Sequence, residues 1–161
     1  MTHPEDVDVP AATIADLGGA VIVGDDGSEA AANALLWAAE AAVQRQRALH
    51  VVRAWTMRTA VRPKDWTPGY VPSLEEFARA CKETAQRDVT ATLEGSPGPA
   101  VQVHALHGEP AKVLLAASQE ADLLVVGWRG RGLRERLLGS VAETVTREAA
   151  CTVVVVRPFR P

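Results

Sequence analysis

Two segments of this chain hold residues whose types and spacing can do chemistry. Gly24-Asp25-Asp26-Gly27-Ser28 places two carboxylates, a hydroxyl and two glycines directly after the apolar run Ala20-Val21-Ile22-Val23. Gly127-Trp128-Arg129-Gly130 follows a second apolar run, Leu123 to Val126, and leads through Arg131 to Leu138 into Gly139-Ser140-Val141. A carboxylate such as Asp26 can accept hydrogen bonds from a ribose or an adenine amino group. Glycines at 127, 130, 132 and 139 remove side chains where a backbone turns sharply or approaches a ligand. Gly139-Ser140 then supplies the amides of a helix N-terminus, whose dipole favours an anion. Arginines at 129, 131, 134 and 136 concentrate positive charge in a chain whose formal net charge is −3. Together these are the ingredients of a bipartite site, with a hydroxyl or amine donor at the first segment and a phosphate at the second. Each piece also has a plain structural reading: a serine caps a helix with or without phosphate, and loop arginines commonly form a solvated face.

The elements that must position these segments follow from hydrophobic pattern. Short apolar, β-branched runs at 20–24, 49–55, 100–107, 123–127 and 152–156 predict five strands, the shorter of them covered on both faces. Between them lie four helical patterns. Ser28 is placed to cap the first, which runs to about Gln46. Ser73-Leu74-Glu75-Glu76 is a capping box for the second, which ends before Gly95-Ser96-Pro97-Gly98-Pro99. Pro110 suits the first turn of the third, and Ser140-Val141-Ala142-Glu143 predicts a capping box opening the fourth. Strict alternation of this kind gives one doubly wound α/β domain: a five-stranded parallel sheet with helices on both faces. Ligands of such sheets bind beyond the carboxyl ends of the strands, where the strand order reverses. Residues 56–72, with Pro63, Pro68, Gly69 and Pro72, predict a long loop of the kind used as a lid or mobile segment.

Composition narrows the class. The chain has 161 residues, 47% hydrophobic and 23% charged, which fits one globular domain and excludes wholesale disorder. Two cysteines cannot form a disulfide scaffold. A pI near 5.8 argues against a surface devoted to nucleic acid, and no apolar run is long enough to span a membrane. Residues 1–18, with Glu5, Asp6, Asp8 and Asp16, read as a flexible acidic leader rather than a signal peptide, ahead of a domain at 19–161. The expected setting is the cytoplasm. Cys81 and Cys151 read as buried hydrophobes and His50 as a satisfied structural histidine, while His104 and His107 point to opposite faces of their strand. Trp55 and Trp128, at strand ends, are placed either to stack on a base or to pack at the edge of the core.

On these segments the sequence resembles the universal stress protein family. The resemblance lies in Val23-Gly24-Asp25-Asp26-Gly27-Ser28, Gly108-Glu109-Pro110-Ala111, Gly127-Trp128-Arg129-Gly130, Gly139-Ser140-Val141 and the tail Ala150 to Arg157. It covers about Gly19 to Arg157 and implies a sheet ordered 3-2-1-4-5, a dimer formed through the last strand, and ATP, or AMP or ADP in its place, with Mg²⁺ accompanying the nucleotide. It also implies Asp26 at the ribose or base, Val51 and Val126 around adenine, and Gly127, Gly130, Gly139, Ser140 and Val141 at ribose and phosphates; Gly24, Asp25 and Arg131 are further expected nucleotide-binding residues. Two departures stand out. Eight residues rather than nine separate Gly130 from Gly139, and Asp25 replaces an apolar residue. A second carboxylate beside a polyanion repels it unless it points away or meets Mg²⁺.

No Walker lysine motif and no nucleophile–base–orienter triad is evident, so rapid phosphoryl transfer is not expected. The expected function is adenine-nucleotide binding by a stress-response sensor or regulator that acts on a protein partner, not on nucleic acid or a membrane. The alternatives are a nucleotide-free protein-interaction module and, more weakly, a slow ATP hydrolase.

Overall fold

The structure is a computed structural model that describes residues 14, 17–96, 98–129 and 137–158. The chain runs β1 (Val21–Gly24), α1 (Glu29–Arg45), β2 (Leu49–Trp55), α2 (Leu74–Leu93), β3 (Val101–His107), α3 (Pro110–Ser118), β4 (Leu123–Gly127), α4 (Ser140–Glu148) and β5 (Thr152–Val156). All neighbouring strands pair in parallel, in the order β3-β2-β1-β4-β5. The five strands, their order and the alternation with helices are as the sequence implied.

The central strand is the most deeply buried. Val21, Ile22 and Val23 have no exposed surface, each burial being worth about 1.5–3 kcal/mol. Alternation along the strands divides the core into two layers. Val21, Val23, Val51 and Val125 face a layer shared with the alanine-rich inner surface of α1 and with Val89 of α2. Ile22, Val52, Leu124 and Val126 face the other, with Val113, Leu114 and Ala117 of α3 and Ala142 and Val145 of α4. Small residues on α1, among them Ala34, Ala38 and Ala42, bring that helix close to the sheet.

The helix starts follow from capping chemistry. The Ser28 hydroxyl accepts the Ala31 N–H at 3.1 Å, and Ser73 and Glu76 form the full capping box. Pro110 stands in the first turn of α3. The fourth helix departs from expectation. Its cap is Gly139, not Ser140, and the expected capping box is not formed: the Glu143 N–H donates to the Gly139 carbonyl at 2.9 Å, which starts the helix one residue earlier. Residues 56–72 contain no helix or strand. Ile14 and Leu17, in the segment read as a leader, are buried in the α3/α4 layer, so packing begins before Gly19.

Candidate functional site

The strand order reverses at β1, whose two neighbours, β2 and β4, are reached by crossovers on opposite sides. The carboxyl ends of β1 and β4 therefore border the crevice where ligands of open parallel sheets bind. The loop after β1 and the start of α4 flank it, and they differ in chemical character.

The β1 loop is rich in acceptors, and its own donors are already engaged. Asp25 Oδ1 accepts the Gly27 N–H and Asp26 Oδ1 accepts the Ser28 N–H, both at 2.9 Å, while Ser28 Oγ takes the Ala31 N–H. These bonds engage the Gly27, Ser28 and Ala31 amides from within the loop. Gly27, at φ 76°, adopts the left-handed conformation that this double turn requires. Asp26 is exposed, whereas the Asp25 side chain is only 8% exposed. Asp25 Oδ2 accepts two donors from Arg53, Nε at 3.1 Å and Nη2 at 2.5 Å, and the same Nη2 donates to Asp88 Oδ2 at 2.9 Å. Burial opposes the Arg53 charge, yet the carboxylates of Asp25 and Asp88 raise its pKa above the ordinary value. The second carboxylate that the sequence placed beside the crevice is thus turned towards β2 and neutralised. Sequence reading missed Arg53, although a cation set among Val51, Val52, Ala54 and Trp55 signals a buried charge that needs a partner.

The head of α4 is the reverse. Its cap is a glycine, which brings no side chain of its own to the amides, and an α-helix leaves its first N–H groups without intrahelical partners. Ser140 and Val141 stand in that first turn. The segment between β4 and α4 is pinned at both ends: the Gly139 N–H donates to the Trp128 carbonyl at 2.9 Å, and the Trp128 N–H to the Val156 carbonyl at 2.8 Å. The Arg157 guanidinium lies 4.2 Å above the Trp128 ring, so this tryptophan packs towards the end of β5. Trp55 packs in the core edge against Phe77 and His107.

The other anticipated residues divide. Gly24 and Val126 come together, since a Cβ on Gly24 would stand 3.4 Å from Val126 Cγ1 and 2.9 Å from Leu114 Cδ1. Val51 does not join them: its side chain is fully buried in the α1/α2 layer, on the opposite sheet face from Val126. Gly127 is required by packing, because a Cβ there would meet the Ala30 main chain. Gly130 and Arg131, with residues 132–136, lie outside the described residues. Among the described residues no cluster of three His, Cys, Asp or Glu could hold a metal.

A parallel five-stranded sheet thus sets an acceptor-rich β1 loop and the glycine-capped start of α4 at the carboxyl ends of β1 and β4, one an acidic lip and the other an amide lip. The comparison with known families gives the lineage: the universal stress protein family matches residues 19–157, and the chain belongs to it. The universal stress protein Rv3134c of Mycobacterium tuberculosis is 35% identical over 139 residues, covering 86% of this chain and 48% of that protein. The chain spans about half the length of the curated relatives it matches. Among solved structures, the universal stress protein UspA from Lactobacillus plantarum shares the fold at a TM-score of 0.66 and 21% identity, covering 88% of this chain and all of that one. The universal stress protein from Archaeoglobus fulgidus, described in complex with dAMP, does so at a TM-score of 0.60 and 24% identity, covering 87% and 98%.

Proposed function

We propose that this chain binds an adenine nucleotide, with ATP the preferred form, in the crevice between β1 and β4, and acts as a regulator rather than as a rapid phosphotransfer enzyme. The observation that carries this is the contrast between the two lips. Asp26 offers a carboxylate to ribose hydroxyls or the adenine amino group, while the glycine-capped first turn of α4, Gly139-Ser140-Val141, offers amides to phosphate. A nucleotide has donors at one end and anionic oxygens at the other, and this arrangement fixes its direction. Gly24 and Val126 form the apolar floor beside the β1 lip, Gly127 stands at the end of β4, and family resemblance alone assigns Gly130 and Arg131 to the phosphates. The Archaeoglobus fulgidus relative described with dAMP supports the choice of adenine.

Mg²⁺ would accompany the phosphates; no cluster among the described residues holds it independently. Binding shifts the chain towards a form that a protein partner recognises, because a ligand stabilises the state it binds. We further propose a homodimer formed through β5 and a cytoplasmic setting. Among the described residues no helix is long and apolar enough to cross a membrane.

The experiment is native mass spectrometry of the purified chain, read for co-purifying nucleotide and repeated after adding ATP, beside Asp26→Ala. The expected result is an adenine nucleotide on the unmodified chain and about tenfold weaker retention on the variant, the size expected for one hydrogen bond to a charged group. Equal retention by both would remove Asp26 from the site.

A further inference from the structure

Asp25 and Arg53 face each other because of strand register. Gly24 pairs with Val52, and the Asp25 N–H extends the ladder to the Val52 carbonyl at 2.9 Å, which places Asp25 beside Arg53 on the next rung. The Asp25 carboxylate then collects three donors, the Gly27 N–H, Arg53 Nε and Arg53 Nη2, and Arg53 spans onward to Asp88 on α2. Asp25 and Arg53 are both nearly closed to solvent, at 8% and 9% side-chain exposure, whereas Asp88 is 44% exposed. A carboxylate so placed is tolerated only while its cation is present. Without that cation, the carboxylate keeps only the Gly27 N–H among these donors, in the same loop from which Asp26 borders the crevice.

We propose that Arg53 is a positioning residue for the nucleotide site: it anchors Asp25 away from the crevice and cancels its charge, so that Asp26 alone addresses the ligand and the phosphates meet no second carboxylate. This rests on the nucleotide reading above. It makes Asp25 a support of the β1 loop instead of a ligand contact, and makes Asp88 the outer tether of Arg53. The same lock joins β1, β2 and α2 at the carboxyl edge of the sheet, next to the start of the 56–72 loop.

Charge repulsion and simple loss of structure are separable by comparing a highly charged ligand with an uncharged one. Dissociation constants for ATP and for adenosine are measured by calorimetry on the unmodified chain, Arg53→Met and Asp25→Asn/Arg53→Met. The expected result is about tenfold weaker ATP binding by Arg53→Met with adenosine changed by less than about threefold, since a released carboxylate acts on phosphates far more than on a neutral nucleoside. The double variant, which removes the released charge, is expected to return ATP affinity to within about threefold of the unmodified chain. Arg53→Gln, which keeps a donor without the charge, gives the same comparison where Arg53→Met does not fold. Equal weakening of both ligands, or no recovery in the double variant, overturns the proposal for Arg53 while leaving nucleotide binding intact. An unmodified chain that binds neither ligand overturns the nucleotide site, and the role of Arg53 falls with it.

Discussion

A Cβ added to Gly127 would come within 2.8 Å of the carbonyl carbon and oxygen of Ala30. The end of β4 and the first turn of α1 thus approach so closely that only glycine fits between them. Main chain cannot move aside as a flexible side chain does, so Gly127→Ala is expected to cost about 1–3 kcal/mol through overpacking. The check is the urea midpoint, which should fall with the slope of the transition unchanged. An unchanged midpoint would mean that α1 is free to shift.

Gly139 offers a test in which stability and binding move in opposite directions. Its backbone, at φ −65° and ψ 150°, is open to any residue. Gly139→Asp supplies a side-chain cap and an anion at a helix N-terminus, for a gain of about 0.3–1 kcal/mol. The same carboxylate occupies the amides proposed for phosphate, so ATP affinity should drop by at least about tenfold. Calorimetry alongside thermal unfolding reads both quantities. A more stable variant with undiminished ATP binding would place the phosphates elsewhere.

The buried His50 on β2 and the half-buried His104 on β3 form a pair that stands apart from the proposed nucleotide site. His50 Nδ1 and His104 Nε2 are 3.0 Å apart and the rings stack, with centroids 5.2 Å apart. The bond requires one nitrogen with a proton and one without, which neutral rings supply. Burial, then the neighbouring His50 and Lys82, lower the His104 pKa from 6.5 to about 4. Because the folded value lies below the unfolded one, the unfolded chain binds more protons between them. The stability this confers is complete above pH 6.5 and is lost as pH falls towards about 4. Urea midpoints across that range should fall more steeply for the unmodified chain than for His104→Asn. Parallel curves would contradict the pairing.

The β5 edge gives a prediction about assembly. Thr152–Val156 pairs with β4 on one side only, and Val153 to Val156 are half-buried. Such a β-branched edge invites a second strand. Sedimentation at micromolar concentration should show a dimer; a monomer would contradict the proposed pairing through β5.

The sheet was legible in the sequence because buried parallel strands announce themselves as short β-branched runs, and the caps at Ser28 and Ser73 because capping chemistry is local. Other features depend on register or on competition between neighbours. Ser140 and Glu143 satisfy a capping pattern, but Gly139 precedes them and is itself an acceptable cap, so the pattern could not choose between them. Asp25 and Arg53 are 28 residues apart and His50 and His104 are 54 apart. Nothing local joins either pair, and only the alignment of β2 with β1 and β3 brings them together. Val51 and Val126 were placed together by family resemblance, whereas the pleat sends their side chains to opposite faces of the sheet.

On the proposed reading, a crevice with one acidic lip and one amide lip holds an adenine nucleotide. Its most direct test is calorimetric titration of the purified chain with ATP in the presence of Mg²⁺. A saturable isotherm with one nucleotide per chain, weakened in both Asp26→Ala and Gly139→Asp, is the predicted result. Absence of binding at millimolar ATP would contradict it.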